Sequence, residues 1–446
     1  MSETSEAARE NGQLPYPKPA HAWWSAVVFF ILYNLSFIDR QMINLLVDPI
    51  RATLEISDFE ISLLQGFAFA IFYCLLGVPI GWLVDHKPRR PIVAAGVLIW
   101  SIAAAACGLA TRFWHMALAR IGVAAGEATL APAAYSMMSD MFPPKKLAFP
   151  MSLMGTGAAL GTAAAGLIAG AVTASVGTSQ VEIPVLGSFE AWQVAFLVAG
   201  IPGLLLVPLI YTVRDPVRRL KEGARALEGA SVVNYFAENR RLYSGHMLGF
   251  AVYSMCNYGF VSWVPSFLIR IHDQSLADVA WIYGGLTLVF GLFGGLLMGF
   301  VVDRWFSSGR RDAHLRFFAM MALMQMVSVT IAVNAGSLWL SVAFLAPVFA
   351  VQSFTGVGAA ALQIITPATM RGQMSAIYLL IFNLVGLGLG PTVVAIFTDY
   401  LFGNDMMVGQ SIMLTFLIFS PITTILMLWA APKMSEKLER EEAATA

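Results

Sequence analysis

Charged residues are scarce in this chain of 446 residues, at 12% of the total, whereas hydrophobic residues reach 58%. Ordinary soluble domains carry about 25% charged and roughly 45–50% apolar residues. The composition therefore excludes an ordinary soluble protein and predicts an integral membrane protein. Because the formal net charge is zero, the totals indicate no nucleic-acid or acidic partner, and only the placement of the charges is informative.

Cysteine is also scarce, and the motifs of several enzyme classes are missing. Cys74, Cys107 and Cys256 are an odd number without metal-ligand spacing, so we interpret them as packing residues and expect no metal or cofactor. The sequence has neither a G-x-S-x-G turn nor closely spaced histidines, which disfavours a membrane enzyme. It also lacks G-x-x-x-x-G-K-[ST], which disfavours transport driven by ATP.

The first residues lack the features of a secretory signal. Residues 1–21 are polar and acidic, without a basic start or a small-residue cleavage site. We expect an uncleaved, disordered cytoplasmic tail over 1–21 and a second cytoplasmic tail over 432–446.

Long apolar runs, by contrast, are abundant. A run of about 20 apolar residues crosses a bilayer as a helix, because a helix satisfies its own backbone hydrogen bonds. Twelve segments meet this requirement: 22–47, 59–85, 91–110, 113–141, 145–175, 189–213, 241–269, 276–303, 313–334, 337–365, 371–399 and 407–431. The charged stretch 214–240 is the predicted cytoplasmic linker between two six-helix bundles, 22–213 and 241–431.

The positions of lysine and arginine predict the orientation in the membrane. Of the 27 basic residues, Arg40 and Arg120 lie within segments, and only Arg51, Arg112 and Arg270 fall on the outer side. The other 22 fall on the cytoplasmic side when the N-terminus is inside. This asymmetry obeys the positive-inside rule and predicts that both termini are cytoplasmic, in the inner (plasma) membrane of the cell.

The two halves are related as repeats. A shift of 218 residues lays the second segment on the eighth, with Gly66 on Gly284, Phe72 on Phe290, Gly77 on Gly295, Gly81 on Gly299 and Asp85 on Asp303. Two repeats with a binding site between them near the bilayer midplane are typical of a transporter that works by alternating access.

The ends of the second and eighth segments carry a recognisable pattern. "GWLVDHKPRRP" and "GFVVDRW" resemble the cytoplasmic motif of the major facilitator superfamily, G-x-x-x-D-[RK]-x-G-[RK]-[RK], with departures at His86 and Pro88. A small residue lets helices approach, and an acid at a helix end can pair with nearby bases or a helix N-terminus. The resemblance implies the major facilitator fold and a cytoplasmic gate formed by Gly81, Asp85, Arg89, Arg90, Gly299, Asp303 and Arg304.

Four further stretches narrow the resemblance. "FIDRQ", "ARIGVAAGEA", "FVSWVPSFLIR" and "NLVGLGLGPT" are similar to the Spinster-like lipid transporters, and the similarity extends over nearly all of 22–431. It implies transport of sphingoid or lysophospholipid-like amphiphiles, coupled to protons in some members.

Four ionisable residues lie well inside the N-terminal segments: Asp39, Arg40, Arg120 and Glu127. A charge at the bilayer centre costs at least about 2.5–3.5 kcal/mol, so these side chains are expected to face a cavity and to pair. Asp39 and Arg120 lie at the same depth, roughly 10–12 Å from the outer ends of their segments, which predicts an ion pair between them. Glu127 is expected to line the same cavity about two turns nearer the cytoplasm.

Two interpretations of these charges remain open. Asp39 and Glu127 form a proton-coupling site if each exchanges partners between conformations, because burial and a nearby arginine shift a carboxyl pKa in opposite directions. The alternative is a static buried ion pair that only fixes helix packing. Arg40 and Arg120 are predicted to pair with these acids and to hold an anionic headgroup, for which a guanidinium offers bidentate geometry.

The C-terminal half has neutral polar and aromatic groups instead. An aromatic half that faces a charged half suits an amphiphile, although interhelical hydrogen bonds and packing are an equal alternative for each residue. The candidate cavity residues are Tyr253, Asn257, Tyr258, Trp263, Gln352, Thr355, Tyr378 and Asn383. Glycine runs at Gly155–Gly170 and from Gly386 are equally consistent with hinges and with close packing.

These features predict a monomeric, non-enzymatic secondary transporter whose partners are membrane lipids, protons and a small amphiphile. The leading hypothesis is alternating access coupled to protons, with an anionic or zwitterionic lipid-like substrate. The alternative is a facilitative or proton-coupled carrier of a small organic anion, which Arg40 and Arg120 would hold equally well.

Overall fold

The computed structural model describes residues 16–143, 146–176, 180–183, 187–218, 232–352, 354–367 and 370–445. Within them the chain is almost entirely helical. The one exception is a short antiparallel hairpin, in which Val181–Ile183 (β1) pairs with Gly187–Phe189 (β2) between the fifth and sixth segments.

The N-terminal half contains six spanning elements, labelled α1 to α6. They are α1 (Pro19–Leu45), α2 (Asp58–His86), α3 (Arg89–Cys107), α4 (Phe113–Glu127 and Leu130–Met141), α5 (Ala148–Val176) and α6 (Ala191–Ile210). A short helix, Val47–Leu54, follows α1, and α2 contains a π-helical stretch at Leu63–Phe67.

The C-terminal half repeats this arrangement after a short helix, Val232–Glu238. Its elements are α7 (Arg240–His272), α8 (Leu276–Ser307), α9 (Ala313–Val333), α10 (Leu338–Ala350 and Phe354–Ile365), α11 and α12 (Val408–Thr445). The α11 element consists of Arg371–Phe382, the π-helical Asn383–Leu389, Gly390–Ile396 and the π-helical Phe397–Phe402.

Nine helices in the described part of the chain are long and apolar enough to cross a membrane. The other three elements are α4 and α10, each of which is broken into two shorter helices, and α7, which is long but more polar. The predicted all-α membrane architecture of twelve segments is therefore confirmed.

Two helices extend into the predicted tails. Helix α1 begins at Pro19, inside the predicted tail, because proline favours the first turn of a helix. Helix α12 continues to Thr445, where Leu438 is buried and Lys433 pairs with Glu436 at 2.6 Å. Residues 1–15 of the predicted N-terminal tail and 219–231 of the predicted linker lie outside the described residues.

The buried apolar side chains form three clusters, and their placement defines the conformation. The cluster at the predicted outer end mixes both halves, with Leu46 and Trp192 beside Trp263 and Phe416. Toward the predicted cytoplasmic end, one cluster belongs almost wholly to the N-terminal half and the other to the C-terminal half. The halves therefore share a core at the predicted outer end and have separate cores toward the predicted cytoplasmic end.

Candidate functional site

Close glycine contacts mark the places where the two halves cross. A Cβ atom on Gly66 of α2 would lie 2.2 Å from the carbonyl oxygen of Leu387 on α11. On the opposite side, a Cβ on Gly166 of α5 would lie 3.1 Å from the carbonyl oxygen of Ala280 on α8. Since only small residues permit such approach, these crossings hold α2 against α11 and α5 against α8.

Ion pairs reinforce the closed outer end. Arg270 at the end of α7 donates to both carboxylate oxygens of Asp58 at the start of α2, at 2.7 and 2.9 Å, and to Asp48 at 2.7 Å. Arg51 of the N-terminal half lies 2.9 Å from Asp58 of the same half and 2.9 Å from Asp405 of the C-terminal half. Because each arginine joins residues of both halves, we define Asp48, Arg51, Asp58, Arg270 and Asp405 as the outer network.

Helix α2 begins in a way that fits this network. Ser57 and Glu60 form a capping box at its first turn, which fixes the direction of the helix start. The backbone N–H of Phe59 donates at 2.7 Å to the carboxylate of Asp399, which belongs to α11. A carboxylate from the C-terminal half thus satisfies a free N–H of an N-terminal-half helix.

The predicted cytoplasmic gate is not assembled in this conformation. Asp85 and Asp303 are exposed and have no ion-pair partner in the part of the chain that the structure describes. A Cβ on Gly81 or Gly299 would meet no described atom within 4 Å, and Arg304 is exposed. With the predicted outer end closed and these residues apart, the conformation is open at the predicted cytoplasmic end, which we call inward-facing, and the gate stays a prediction for the opposite state.

Arg89, which was predicted to belong to the gate, lies in a network of ion pairs within the N-terminal half and the start of the linker. Its side chain is 1% exposed and pairs with Asp140 of α4 and with Asp215, the latter at 3.0 Å. The same guanidinium donates to the carbonyl oxygen of Pro216 at 2.6 Å, while Arg90 lies over the Tyr211 ring at 5.4 Å. Arg89 therefore connects helices of the N-terminal half to the start of the linker.

The four intramembrane charges lie together, but their pairing differs from the prediction. Arg40 of α1 forms an ion pair with Glu127, whose side chain is 1% exposed. Glu127 is the last residue of the first α4 helix, where the helix dipole disfavours an acid, so the Arg40 guanidinium compensates its charge.

Arg120 does not pair with the Asp39 carboxylate, so that predicted ion pair is wrong. Its guanidinium donates instead to two backbone carbonyls, that of Leu64 at 3.2 Å and that of Asp39 itself at 3.4 Å. Leu64 belongs to the π-helical stretch of α2, which presents this carbonyl toward α4. Arg120 and Asp39 lie side by side, but the contact is made by the backbone carbonyl of Asp39 and not by its carboxylate.

The Asp39 carboxylate is consequently isolated. Asp39 is 1% exposed, and neither carboxylate oxygen has a hydrogen-bond partner among the described residues. Nη2 of Arg120, Nε of Arg40 and Oε1 of Glu127 are likewise buried without a described partner. Unpaired donors and acceptors of both signs therefore converge at one place within the membrane.

Aromatic rings surround Arg40, and the sequence analysis missed them. Its guanidinium lies 4.6 Å from the ring centre of Phe69, 4.9 Å from that of Phe37 and 5.6 Å from that of Tyr73. Phe37 precedes Arg40 by three residues and Phe69 precedes Tyr73 by four, spacings that place each pair on one helix face. That spacing is the signal that could have identified them.

Four of the eight C-terminal candidates lie in packing positions, as the alternative interpretation proposed. Asn257 exchanges amide hydrogen bonds with Gln325 at 2.8 and 3.4 Å, and Trp263 donates to the carbonyl oxygen of Pro391 at 2.9 Å. Tyr253 and Tyr378 are 1% exposed within the C-terminal cluster.

Only part of the C-terminal set remains available to a cavity. Tyr258, Gln352 and Asn383 are partly exposed, whereas the side chain of Thr355 lies outside the described residues. The glycine runs pack closely: a Cβ on Gly161 would lie 2.3 Å from the carbonyl oxygen of Asn34, and one on Gly386 would lie 2.0 Å from the Ser254 hydroxyl.

Comparison with known protein families bears directly on this arrangement. The model of the Major Facilitator Superfamily matches residues 29–391. The chain belongs to the Major Facilitator Superfamily. The superfamily assignment agrees with the two six-helix halves and with the repeated motif at the ends of α2 and α8.

Solved structures and curated relatives of the superfamily refine the assignment. A bacterial homologue of the human lysosomal transporter Spinster, in an inward-facing and unoccupied conformation, has a TM-score of 0.77 and 25% identity over 95% of this chain and 99% of that one. A Mycolicibacterium smegmatis MFS-type efflux pump is 28% identical over 387 residues, 86% of each chain. The resemblance to Spinster-like proteins is therefore confirmed, and so is a transporter architecture.

The name of a third relative includes a substrate. A probable L-galactonate transporter of Escherichia coli is 26% identical over 297 residues, which cover 64% of this chain and 62% of that protein.

Proposed function

We propose that this protein is a proton-coupled secondary transporter of an anionic substrate, in which Asp39 carries the proton and Arg40 receives the anion. The observation that carries the proposal is the isolated Asp39 carboxylate beside the Arg40–Glu127 ion pair. Membrane helices seldom retain such groups without a use, because each is costly to insert.

Asp39 is best accounted for as a neutral acid in this conformation. A buried ionised carboxylate with no hydrogen bond or ion pair is among the most unfavourable arrangements in a protein, and such a group neutralises instead. Arg120, the nearest cation that pairs with no carboxylate, spends its described hydrogen bonds on backbone carbonyls. Asp39 therefore holds a proton while the cytoplasmic side is open.

Arg40 can exchange one carboxylate for another. Its side chain is 17% exposed, so it is reachable from the open side, whereas Glu127 behind it is buried. An incoming carboxylate or phosphate competes with Glu127 for the guanidinium and gains charge-assisted hydrogen bonds. The displaced Glu127 is left without a cation and takes up a proton, which links anion binding to proton movement.

The outer network supplies the alternating step. A ligand shifts the conformational equilibrium only through its differential affinity for the two states. Closing the cytoplasmic side around the substrate requires the ion pairs of Arg270 and Arg51 to break as the outer side opens. We expect the inner gate of Asp85, Asp303 and the neighbouring bases to form in that outward-facing state.

Two substrate classes fit Arg40. The Spinster-like resemblance favours an amphiphilic lipid-like anion or zwitterion, with its chain against the aromatic side chains. The relationship to a probable L-galactonate transporter favours a small organic anion. The two share the acid group that Arg40 would bind.

A binding screen tests the role of Arg40. Purified protein is mixed with lysolipids, sphingoid phosphates and organic acids, and thermal stabilisation is scored, since a ligand that binds the folded state raises its apparent stability. The ligand of the wild type should lose its effect in Arg40→Gln and keep it in Arg316→Gln, which alters only a pair within the C-terminal half. Equal stabilisation of Arg40→Gln would overturn the anion-binding role.

A further inference from the structure

The repeat relationship extends to the first helix of each half. The shift of 218 residues that superposes α2 on α8 also lays Asp39 on Asn257 and Arg40 on Tyr258. In transporters built from two such repeats, equivalent positions face each other across the central site. Tyr258 is thus the C-terminal counterpart of Arg40.

The two C-terminal residues have different environments. Asn257 is enclosed and satisfied by Gln325, so it offers nothing to a ligand. Tyr258 is partly exposed and packs against the apolar clusters of both halves, with its ring 6.4 Å from that of Phe382. Of these two residues, Tyr258 is the one that reaches the space between the halves.

Three more tyrosines lie in the same region. Tyr33 of α1 and Tyr73 of α2 pack, like Tyr258, against the apolar cluster of the N-terminal half. Tyr135 lies on the second α4 helix, Leu130–Met141, which contacts both α1 and α2. The Tyr33 ring is 5.1 Å from that of Phe37, and the Tyr73 ring stacks on Phe69 at 5.5 Å, so both are anchored to the rings around Arg40.

The hydroxyls of these tyrosines differ from those of the packed tyrosines on α7 and α11. None of the four hydroxyls bonds to a described residue, and none is among the enclosed unpaired atoms, whereas those of Tyr253 and Tyr378 are enclosed. Tyr135 is 41% exposed, and the other three are partly exposed.

We propose that Tyr258, with Tyr33, Tyr73 and Tyr135, forms a hydroxyl-recognising subsite beside Arg40, and that the substrate is a hydroxylated anion. This rests on the proposed function, because Arg40 binds the acid group. Each phenol both donates and accepts a hydrogen bond, which matches the hydroxyl group of a ligand. The subsite selects among anions by their hydroxyl groups, whereas Arg40 recognises the acid group.

The position of Tyr258 gives the subsite a second consequence. Tyr33, Tyr73 and Tyr135 belong to the N-terminal half, whereas Tyr258 belongs to the C-terminal half. A ligand that bonds Arg40 and Tyr258 together connects the halves on the cytoplasmic side of the shared core. Such a contact is stronger in the closed form than in the open form, so hydroxyl recognition favours closure.

Hydroxylated anions occur both as lipid headgroups and as free hydroxy acids. The binding experiment therefore compares one pair of probes for each. Binding to purified full-length protein is compared for gluconate against hexanoate, and for oleoyl lysophosphatidate against hexadecyl phosphate. The wild type should prefer the hydroxylated member of at least one pair, because phenols built for a hydroxyl lose their hydrogen bonds with the analogue that lacks it. Preference within the first pair assigns a free acid, and preference within the second a lipid headgroup.

Tyr258→Phe should weaken binding of the preferred hydroxylated probe about three- to tenfold and leave its unhydroxylated analogue unchanged. Tyr253→Phe removes an enclosed hydroxyl from the same helix and should change neither. Absence of any hydroxyl preference in the wild type, or an unchanged preference in Tyr258→Phe, would overturn the subsite. If Arg40→Gln binds every probe as the wild type does, the anion-binding role of Arg40 fails instead, which separates the two proposals.

Discussion

Arg270 of the C-terminal half holds Asp58 of the N-terminal half through two parallel hydrogen bonds of 2.7 and 2.9 Å. This bidentate pair lies at the outer end, where the two halves share one apolar core. Since Asp58 is fully buried and also lies 2.9 Å from Arg51, separation of the halves requires that two ion pairs break together.

Arg270→Gln is therefore expected to shift the protein toward the outward-facing state. The change removes the charge that holds Asp58 and Asp48, and the inward-facing state alone loses the contact. Labelling of single cysteines at the outer mouth should increase several-fold, with a matching decrease at the cytoplasmic mouth. Arg316→Gln breaks a 2.6 Å pair with Asp312 within one half and should leave both patterns unchanged. Unaltered labelling in Arg270→Gln would exclude the outer network as a gate.

Gly66→Ala should also shift the protein toward the outward-facing state, in this case because of a steric clash. The added methyl would lie 2.2 Å from the Leu387 carbonyl oxygen, a contact that the inward-facing conformation cannot accept without moving α2 away from α11. Gly285→Ala is the matched control, since a Cβ there meets no described atom within 4 Å. Cross-linking of cysteine pairs across the outer end measures the shift, and equal cross-linking in the two variants would contradict it.

Arg89→Ala is expected to destabilise the protein in either state. The substitution leaves Asp140 and Asp215 without their shared partner, and breaking a buried ion pair costs about 3–5 kcal/mol. Asp85→Asn should leave thermal stability nearly unchanged, because Asp85 is exposed, while it weakens closure of the inner gate. Thermal unfolding of the two variants side by side tests the difference. Similar losses of stability would mean that Arg89 has no such connecting role.

Asp39→Asn and Glu127→Gln are expected to be non-additive. Both acids belong to one cluster of buried charges and both take part in the proposed coupling, so removing the second should cost less than removing the first. The measurement is gradient-driven flux in each single variant and in the double variant. If the factor by which the double variant loses flux equals the product of the two single-variant factors, the two acids act as independent sites.

How much of this structure can be predicted from the sequence depends on whether a feature is set along the chain or by the way helices meet. Apolar length and lysine and arginine placement predict twelve segments, because both act along the chain. Depth brings Asp39, Arg40, Arg120 and Glu127 to one place, because rise per residue is constant. Pairing depends on the rotation of each helix about its axis, and a π-helical turn in α2 gives Arg120 a backbone partner that periodicity cannot anticipate.

The outer network was missed for a related reason. Asp48, Arg51 and Asp405 lie between predicted segments, where sequence spacing gives no indication of a partner more than 200 residues away. Gly66 was recognised as part of a repeat, but its contact with α11 depends on how the two halves meet. Contacts between the halves therefore had to come from the structure.

Substrate flux into liposomes under an imposed pH gradient tests proton coupling at Asp39 most directly. The wild type should accumulate the anion identified by the binding screen, whereas Asp39→Asn should lose gradient-driven accumulation and retain exchange without a gradient, because asparagine mimics the protonated acid. Asp312→Asn, a change within the C-terminal half, should behave as the wild type does. Undiminished gradient-driven accumulation in Asp39→Asn would contradict the proposal and leave Asp39 as a packing residue.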